Sequence, residues 1–124
     1  MLKEIIAVFI GGGIGSILRF MVNKIEFFSE TNFPYNTLIS NILGCFILGL
    51  VLGYFIKNNN PNSILFVFLT VGLCGGFTTF STFSYESLAM LQSGQVLSFF
   101  SYILISLIVG VLSIYVGTII FKTL

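Results

Sequence analysis

The sequence GGFTTFSTFSYE, residues 75–86, lies within a long apolar run. It combines two glycines, five hydroxyl residues before Tyr85, three phenylalanines and one carboxylate. Glycine and threonine are poor helix formers, and a carboxylate is costly inside a bilayer. These residues therefore indicate a specialised segment and not an ordinary membrane span.

The composition around this stretch is that of a membrane protein. Of 124 residues, 56% are hydrophobic and only 7% are charged, whereas a soluble domain carries roughly 25% charged residues. We therefore predict a single four-helix transmembrane domain over residues 1–124, located in the cell (plasma or inner) membrane with the lipid bilayer as its surroundings. The net charge of +1 gives no reason to expect a nucleic-acid partner.

Four apolar runs are long enough to cross a bilayer, which takes about 20 residues. They cover residues 5–22, 38–56, 64 to about 91, and 96–121. Polar segments at residues 24–34, 57–61 and 92–95 separate them. The predicted fold class is an all-α membrane protein with four transmembrane helices.

The third run contains a cluster of poor helix formers near its middle: Gly72, Gly75, Gly76, Thr78 and Thr79. Neighbouring helices could hold this segment as a continuous helix, but we predict that the helix breaks here. Non-helical backbone at membrane depth is tolerated only where it is buried in protein or lines a wet cavity. A break would free backbone carbonyls and amides in a protected place, as in the discontinuous helices of transporters.

Polar residues form stripes on the apolar helices, because residues four apart share one helix face. The stripes are Thr37, Asn41 and Cys45 on the second run, Ser98, Tyr102 and Ser106 on the fourth, and Phe80, Phe83 and Ser84 after the break. Such groups can bond helices together, or they can line one narrow and uncharged route. Cation routes usually carry acidic rings and large-anion routes carry Arg or Lys, so a small hydrated anion fits this pattern.

Small residues indicate close packing between helices. The pairs Gly11/Gly15 and Gly49/Gly53 have the four-residue spacing that lets helix backbones approach in lipid, and we expect contacts within the chain. Cys45 and Cys74 lie on different runs without metal-ligand spacing, and we predict that both are small packing residues.

The basic residues do not choose an orientation in the membrane. Lys3, Lys57 and Lys122 fall on one side of a four-span chain, and Arg19 and Lys24 fall near the other. Three against two is hardly a bias under the positive-inside rule. The chain could therefore insert both ways and pair antiparallel.

Three motifs resemble those of the Fluc (CrcB) family of fluoride channels. The family signature is resembled by residues 72–86, GLCGGFTTFSTFSYE. The glycine-rich start of the family is resembled by residues 11–20, GGGIGSILRF, and its second-helix motif by residues 36–49, NTLISNILGCFILG. The chain departs from the family pattern at Asn36, Cys45 and Gly110.

The resemblance implies an antiparallel dual-topology homodimer, in which the chain pairs with an inverted copy of itself. It implies passive, fluoride-selective export from the cytoplasm through two pores per dimer, with a structural sodium ion (Na+) at the dimer centre. Matching the motifs assigns the sodium ligands to the backbone carbonyls of Gly75 and Thr78. The pore positions it assigns are Thr37, Asn41, Phe80, Ser81, Thr82, Phe83, Tyr102 and Ser106. Arg19 and Glu86 are candidates for structural or vestibule roles.

Two other functions remain open. A small four-span proton-coupled drug or cation transporter has a similar size but relies on an acidic residue within its first span, where this chain has only Glu4 at the start. Glu86 is the sole carboxylate within a span, and it could be functional or a structural hydrogen-bond partner. A non-transport assembly subunit would explain the glycine spacing but not the polar stripes. We do not predict an enzyme, because no base–nucleophile pair or metal cluster is apparent.

Overall fold

The computed structural model describes residues 1–25, 32–60 and 63–123. Residues 26–31, which belong to the predicted first loop, lie outside the described residues, as do residues 61–62 and 124. The described elements are α1 (Leu2–Asn23), α2 (Tyr35–Lys57), α3 (Ile64–Val67), a π-helix (Phe68–Cys74), α4 (Gly75–Phe77), α5 (Phe80–Gln92) and α6 (Val96–Thr123). Four helical stretches within the described residues are long and apolar enough to cross a membrane, as the sequence predicts.

The third span, Ile64–Gln92, is broken at the predicted place. Thr78 and Thr79 are extended, with φ/ψ angles of −81°/159° and −149°/122°, between α4 and α5. The sequence did not predict the seven-residue π-helix that comes before the break. Such wide turns are rare and are frequently found at functional sites.

Glycine contacts hold α1 against the third span. A Cβ atom added to Gly11 would lie 2.6 Å from the Phe68 carbonyl oxygen, and one added to Gly15 would overlap the Leu73 carbonyl oxygen. On the opposite side of this contact, a Cβ atom at Gly76 would lie 2.5 Å from the Gly12 carbonyl oxygen. The two backbones touch directly, which is the packing that small residues allow in lipid.

A second glycine contact joins α2 to α6. Gly49 faces the backbone of Ile114, and Gly53 faces the carbonyl oxygen of Thr118. From the side of α6, a Cβ atom at Gly117 would lie 2.6 Å from the Phe46 carbonyl oxygen. Both predicted glycine pairs therefore serve contacts within the chain.

The buried core is small and lies where α2, α5 and α6 meet. Its central cluster consists of Leu38, Met90 and Tyr102, and further buried apolar side chains, such as Phe55 and Phe77, lie outside this cluster. Gly94 adopts a left-handed φ of +73° in the turn after α5, and this turn reverses the chain into α6. Many large apolar side chains instead face outward, such as Phe9 and Leu97, as expected where the surroundings are lipid.

Candidate functional site

The break in the third span is capped by its own threonines. Thr79 is the N-cap of α5, and its Oγ1 accepts a hydrogen bond from the Thr82 backbone N–H at 3.3 Å. A side-chain oxygen at this position satisfies one of the donors that the start of a helix leaves unpaired. The Thr79 hydroxyl also lies 3.1 Å from the Thr82 hydroxyl and 3.3 Å from the Ser81 hydroxyl.

Asn41 of α2 clamps the backbone at the break. Its Oδ1 accepts from the Thr79 N–H at 2.8 Å, and its Nδ2 donates to the Thr79 carbonyl oxygen at 3.2 Å. The amide side chain thus pairs with both polar groups of one extended residue, as a neighbouring strand would. The sequence assigns Asn41 to the pore, and the structure gives its side chain this pairing with the backbone.

These two interactions release the carbonyls of Gly75 and Thr78 from their ordinary helical partners. In a continuous α-helix the amides of Thr79 and Thr82 would bond to those two carbonyls. Here the Thr79 amide bonds to Asn41 and the Thr82 amide bonds to the Thr79 hydroxyl. The Gly75 and Thr78 carbonyl oxygens therefore do not receive the hydrogen bonds that these two amides would give in a continuous helix, and carbonyl oxygens are ligands that a hard cation prefers.

A cavity of about 340 Å³ lies beside the break. Its walls come from α2, the third span and α6, and none of the residues that line it is charged. Those residues include six of the sequence-predicted site positions, namely Asn41, Gly75, Thr78, Phe80, Phe83 and Ser106. Residues that the sequence predicted separately for three spans therefore lie around one cavity.

The aromatic rings of Phe80 and Phe83 stand side by side on the first turn of α5. Their centroids are 5.9 Å apart and the ring planes are tilted by 35°. Phe80 is 79% exposed in the single chain, whereas Phe83 packs against the Tyr102 ring at a centroid distance of 4.9 Å. One ring is thus fixed by the core and the other projects from the chain.

Ser106 contributes a hydroxyl that has no partner among the described residues. Its Oγ is buried and forms no hydrogen bond with the residues that the structure describes, although it borders the cavity. Burying an unpaired hydroxyl is unfavourable, so this group is a donor that a ligand in the cavity could satisfy. The Nε atom of Arg19 is also buried without a partner among the described residues, but Arg19 does not line this cavity.

Thr37 and Tyr102 lie away from the cavity and bond to Glu86 instead. The Thr37 hydroxyl donates to one carboxylate oxygen at 2.7 Å, and the Tyr102 hydroxyl donates to the other at 2.8 Å. Thr37 is 2% exposed and Tyr102 is 0% exposed. This network joins α2, α5 and α6, and Glu86 also borders a separate cavity of about 200 Å³ near the connection between α5 and α6.

The sequence did not reveal the partners of Glu86 or the capping role of Thr79. The sequence identified Glu86 as the sole carboxylate within a span, and a carboxylate at that depth needs hydrogen-bond donors from neighbouring residues. Its donors come from positions 49 and 16 residues away, a pairing that no helical period encodes. The cap could have been found from the Thr79 and Thr82 spacing, since threonine before an apolar run is a helix-start signal.

Comparison with known proteins places the chain in a family. The family described as CrcB-like protein, Camphor Resistance (CrcB), matches residues 6–118. The chain belongs to the CrcB-like family. Relatives named fluoride-specific ion channel FluC are similar to it over almost their whole length.

Three of these CrcB-like relatives illustrate the similarity. The protein of Flavobacterium psychrophilum is 44% identical over 124 residues, covering 99% of this chain and 100% of its own. That of Phocaeicola vulgatus is 45% identical over 117 residues, covering 94% and 96%. That of Campylobacter jejuni is 41% identical over 123 residues, covering 98% and 100%. Together with the four spanning helices, this similarity makes the chain a multi-pass membrane protein of an ion-channel family and not an enzyme.

Proposed function

We propose that the chain forms a passive, fluoride-selective channel that lets fluoride leave the cytoplasm. The relatives named as fluoride-specific channels support the substrate. The observation that carries the proposal is the uncharged cavity at the break, lined by Phe80, Phe83 and Ser106. The buried Ser106 hydroxyl has no partner among the described residues. This chemistry suits a small anion that must be bound weakly.

The aromatic rings offer a partner of suitable strength. An aromatic ring has a negative face and a positive edge, so an anion is attracted to the edge and repelled by the face. A lysine in the same place would hold fluoride strongly, and conduction requires binding weak enough for the ion to leave. The Ser106 hydroxyl, with Ser81 and Thr82 at the start of α5, can replace part of the hydration shell that fluoride loses.

An inverted second copy would complete this site, in a dimer with two pores. The largely exposed Phe80 and the cavity beside it lie on the flank of a single chain, and a second chain would close them from lipid. The balanced lysine and arginine count supports insertion in both orientations. In such a pair each copy would contribute to the lining of both pores.

A sodium ion at the centre of the dimer would account for the released carbonyls. Gly75 and Thr78 from two copies would supply four oxygens to it. An unpaired carbonyl costs several kcal/mol in lipid, and the positive charge of the ion would compensate for this cost. Its role in the proposal is structural, since it would fix the break from which α5 and its aromatic rings begin.

The rival function is a proton-coupled transporter that uses Glu86. The carboxylate accepts hydrogen bonds from Thr37 and Tyr102, which tie it into the packing of three helices. This arrangement favours a structural role. The two functions differ in whether transport needs a proton gradient.

Fluoride efflux from protein-containing liposomes tests the proposal. With fluoride inside and no proton gradient, little anion should leave until a potassium ionophore relieves the charge build-up, and chloride efflux should remain far slower. The Glu86→Gln protein should still release fluoride under these conditions. Efflux that needs a proton gradient, or that is lost in Glu86→Gln while the protein remains folded, would support the transporter instead.

A further inference from the structure

The two cysteines of the chain line the same cavity, beside the break. Cys45 comes from α2 and Cys74 from the π-helix, and both line this cavity. Both thiols are free, and the Cys45 Sγ also lies near Gly110 of α6. Gly44, the neighbour of Cys45, packs against the Thr78 side chain, while the Thr78 hydroxyl bonds to the Cys74 carbonyl oxygen at 3.0 Å. Contacts on both sides of the thiols therefore hold α2 against the turn that carries Cys74.

Most of the other polar groups near the thiols are already engaged. The Thr70 hydroxyl donates to the Phe66 carbonyl oxygen at 2.7 Å, and Asn41 pairs with the Thr79 backbone. Neither thiol forms a disulfide bond, and none of the residues that line the cavity with them is charged. Thiolate sulfur selects soft metal ions over hard ones, and two thiolates neutralise a divalent ion, so no net charge would be left in the apolar cavity.

We propose that Cys45 and Cys74 form a two-sulfur binding site for a soft divalent cation, of which Hg²⁺ is the probe. When mercuric chloride binds, both S–H bonds and both Hg–Cl bonds break and two Hg–S bonds form. Two protons and two chloride ions leave to the solvent, with no change in oxidation state. Mercuric chloride is a neutral molecule, so it can reach the site through the lipid. A bound metal would sit beside Phe80 and Phe83, and it would therefore obstruct anion flow. This obstruction rests on the proposed function, but the binding does not.

Metal retention by the purified protein in detergent tests the site. One equivalent of HgCl₂ is added, excess glutathione is supplied as a competitor, and mercury is counted per chain after desalting. The wild-type chain should retain one Hg²⁺. Cys45→Ser and Cys74→Ser should each retain at least tenfold less, because a single thiol cannot outcompete glutathione.

A matched control keeps two thiols but separates them. The double variant Cys74→Ser/Ser98→Cys carries its second thiol near the start of α6, at a position that does not line the cavity and that lies about 18 Å along the helix from Gly110, which the Cys45 Sγ faces. It should lose mercury as the single variants do. Equal retention by the double variant, or no retention by the wild type, would overturn the proposal.

Fluoride efflux separates this inference from the proposed function. One equivalent of Hg²⁺ should slow wild-type efflux at least tenfold, dithiothreitol should reverse the effect, and each cysteine variant should keep its own untreated rate. Liposomes that release no fluoride before treatment would contradict the proposed function, while mercury retention would still decide the metal site. Mercury retention without slower fluoride efflux would show that the bound metal does not obstruct anion flow.

Discussion

The clamp between Asn41 and Thr79 predicts a local loss of stability when the asparagine is removed. In Asn41→Ala the buried Thr79 amide loses its acceptor, and the Thr79 carbonyl loses its donor. Leaving a buried polar group unpaired costs about 1–3 kcal/mol. The free energy needed to open the Thr79 amide to solvent should fall by this amount, which corresponds to amide exchange about 5 to 150 times faster, at about 1.4 kcal/mol per factor of ten.

Hydrogen–deuterium exchange of the ¹⁵N-threonine-labelled protein measures this change by NMR. Asn36→Ala is the matched control, since Asn36 lies on the same helix and its side chain makes a single hydrogen bond to the described residues, an exposed one at 3.4 Å to the Ile25 carbonyl oxygen. In that variant the Thr79 amide should exchange within about twofold of wild type. The Thr118 amide on α6 should be unaffected in both variants, which would show that the effect is local. If Thr79 exchange in Asn41→Ala stays within twofold of wild type, the clamp does not hold the break and the reasoning is refuted.

Three further predictions concern the rings, the glycine contacts and the topology. Phe80→Ile and Phe83→Ile should each reduce charge-compensated fluoride efflux at least tenfold, because an aliphatic side chain has no positive edge. Efflux through the control variant Phe100→Ile, on the outward face of α6, should stay near wild type. Near wild-type efflux from a folded double Ile variant would exclude the edge mechanism. Gly15→Ala should lower the free energy of unfolding by at least about 1 kcal/mol, and with it the thermal unfolding temperature, because its Cβ would overlap the Leu73 carbonyl oxygen. Gly13→Ala is the control, since a Cβ atom there meets open space. Equal unfolding temperatures of the two variants would contradict this packing. Lysines at Gln92 and Ser93 should lock one orientation and abolish efflux, and an oppositely biased copy should restore it on co-expression; tagged wild-type protein found in a single orientation would contradict dual topology.

The sequence predicted the spans and the position of the break because both depend on local composition. Twenty apolar residues define a span whatever they pack against. A cluster of glycine and threonine weakens a helix at the same place in any surroundings, so the extended Thr78 and Thr79 were predictable. The π-helix was not predicted, because no composition rule distinguishes its residues from those of an ordinary apolar helix.

The pairing of side chains across the bundle could not be predicted from the periodicity of single helices. Thr37, Asn41 and Cys45 share a stripe on α2, yet the structure gives them different partners. Thr37 bonds to Glu86, Asn41 bonds to the Thr79 backbone, and Cys45 borders the cavity. Their partners depend on how far α2 slides along the third span and α6. The glycine contacts fix that register through three-dimensional fit, which a single sequence does not express.

The glycine contacts also determine at which positions a second substitution could compensate for replacing the glycine. At Gly117, Gly49 and Gly15 the obstacle to a larger residue is the backbone of the neighbouring helix, so trimming a side chain elsewhere relieves nothing. At Gly44 the obstacle is a methyl group of Thr78, which a Thr78→Ser change would remove. The first three positions are therefore closed to compensatory mutation, whereas Gly44 is free to vary together with Thr78.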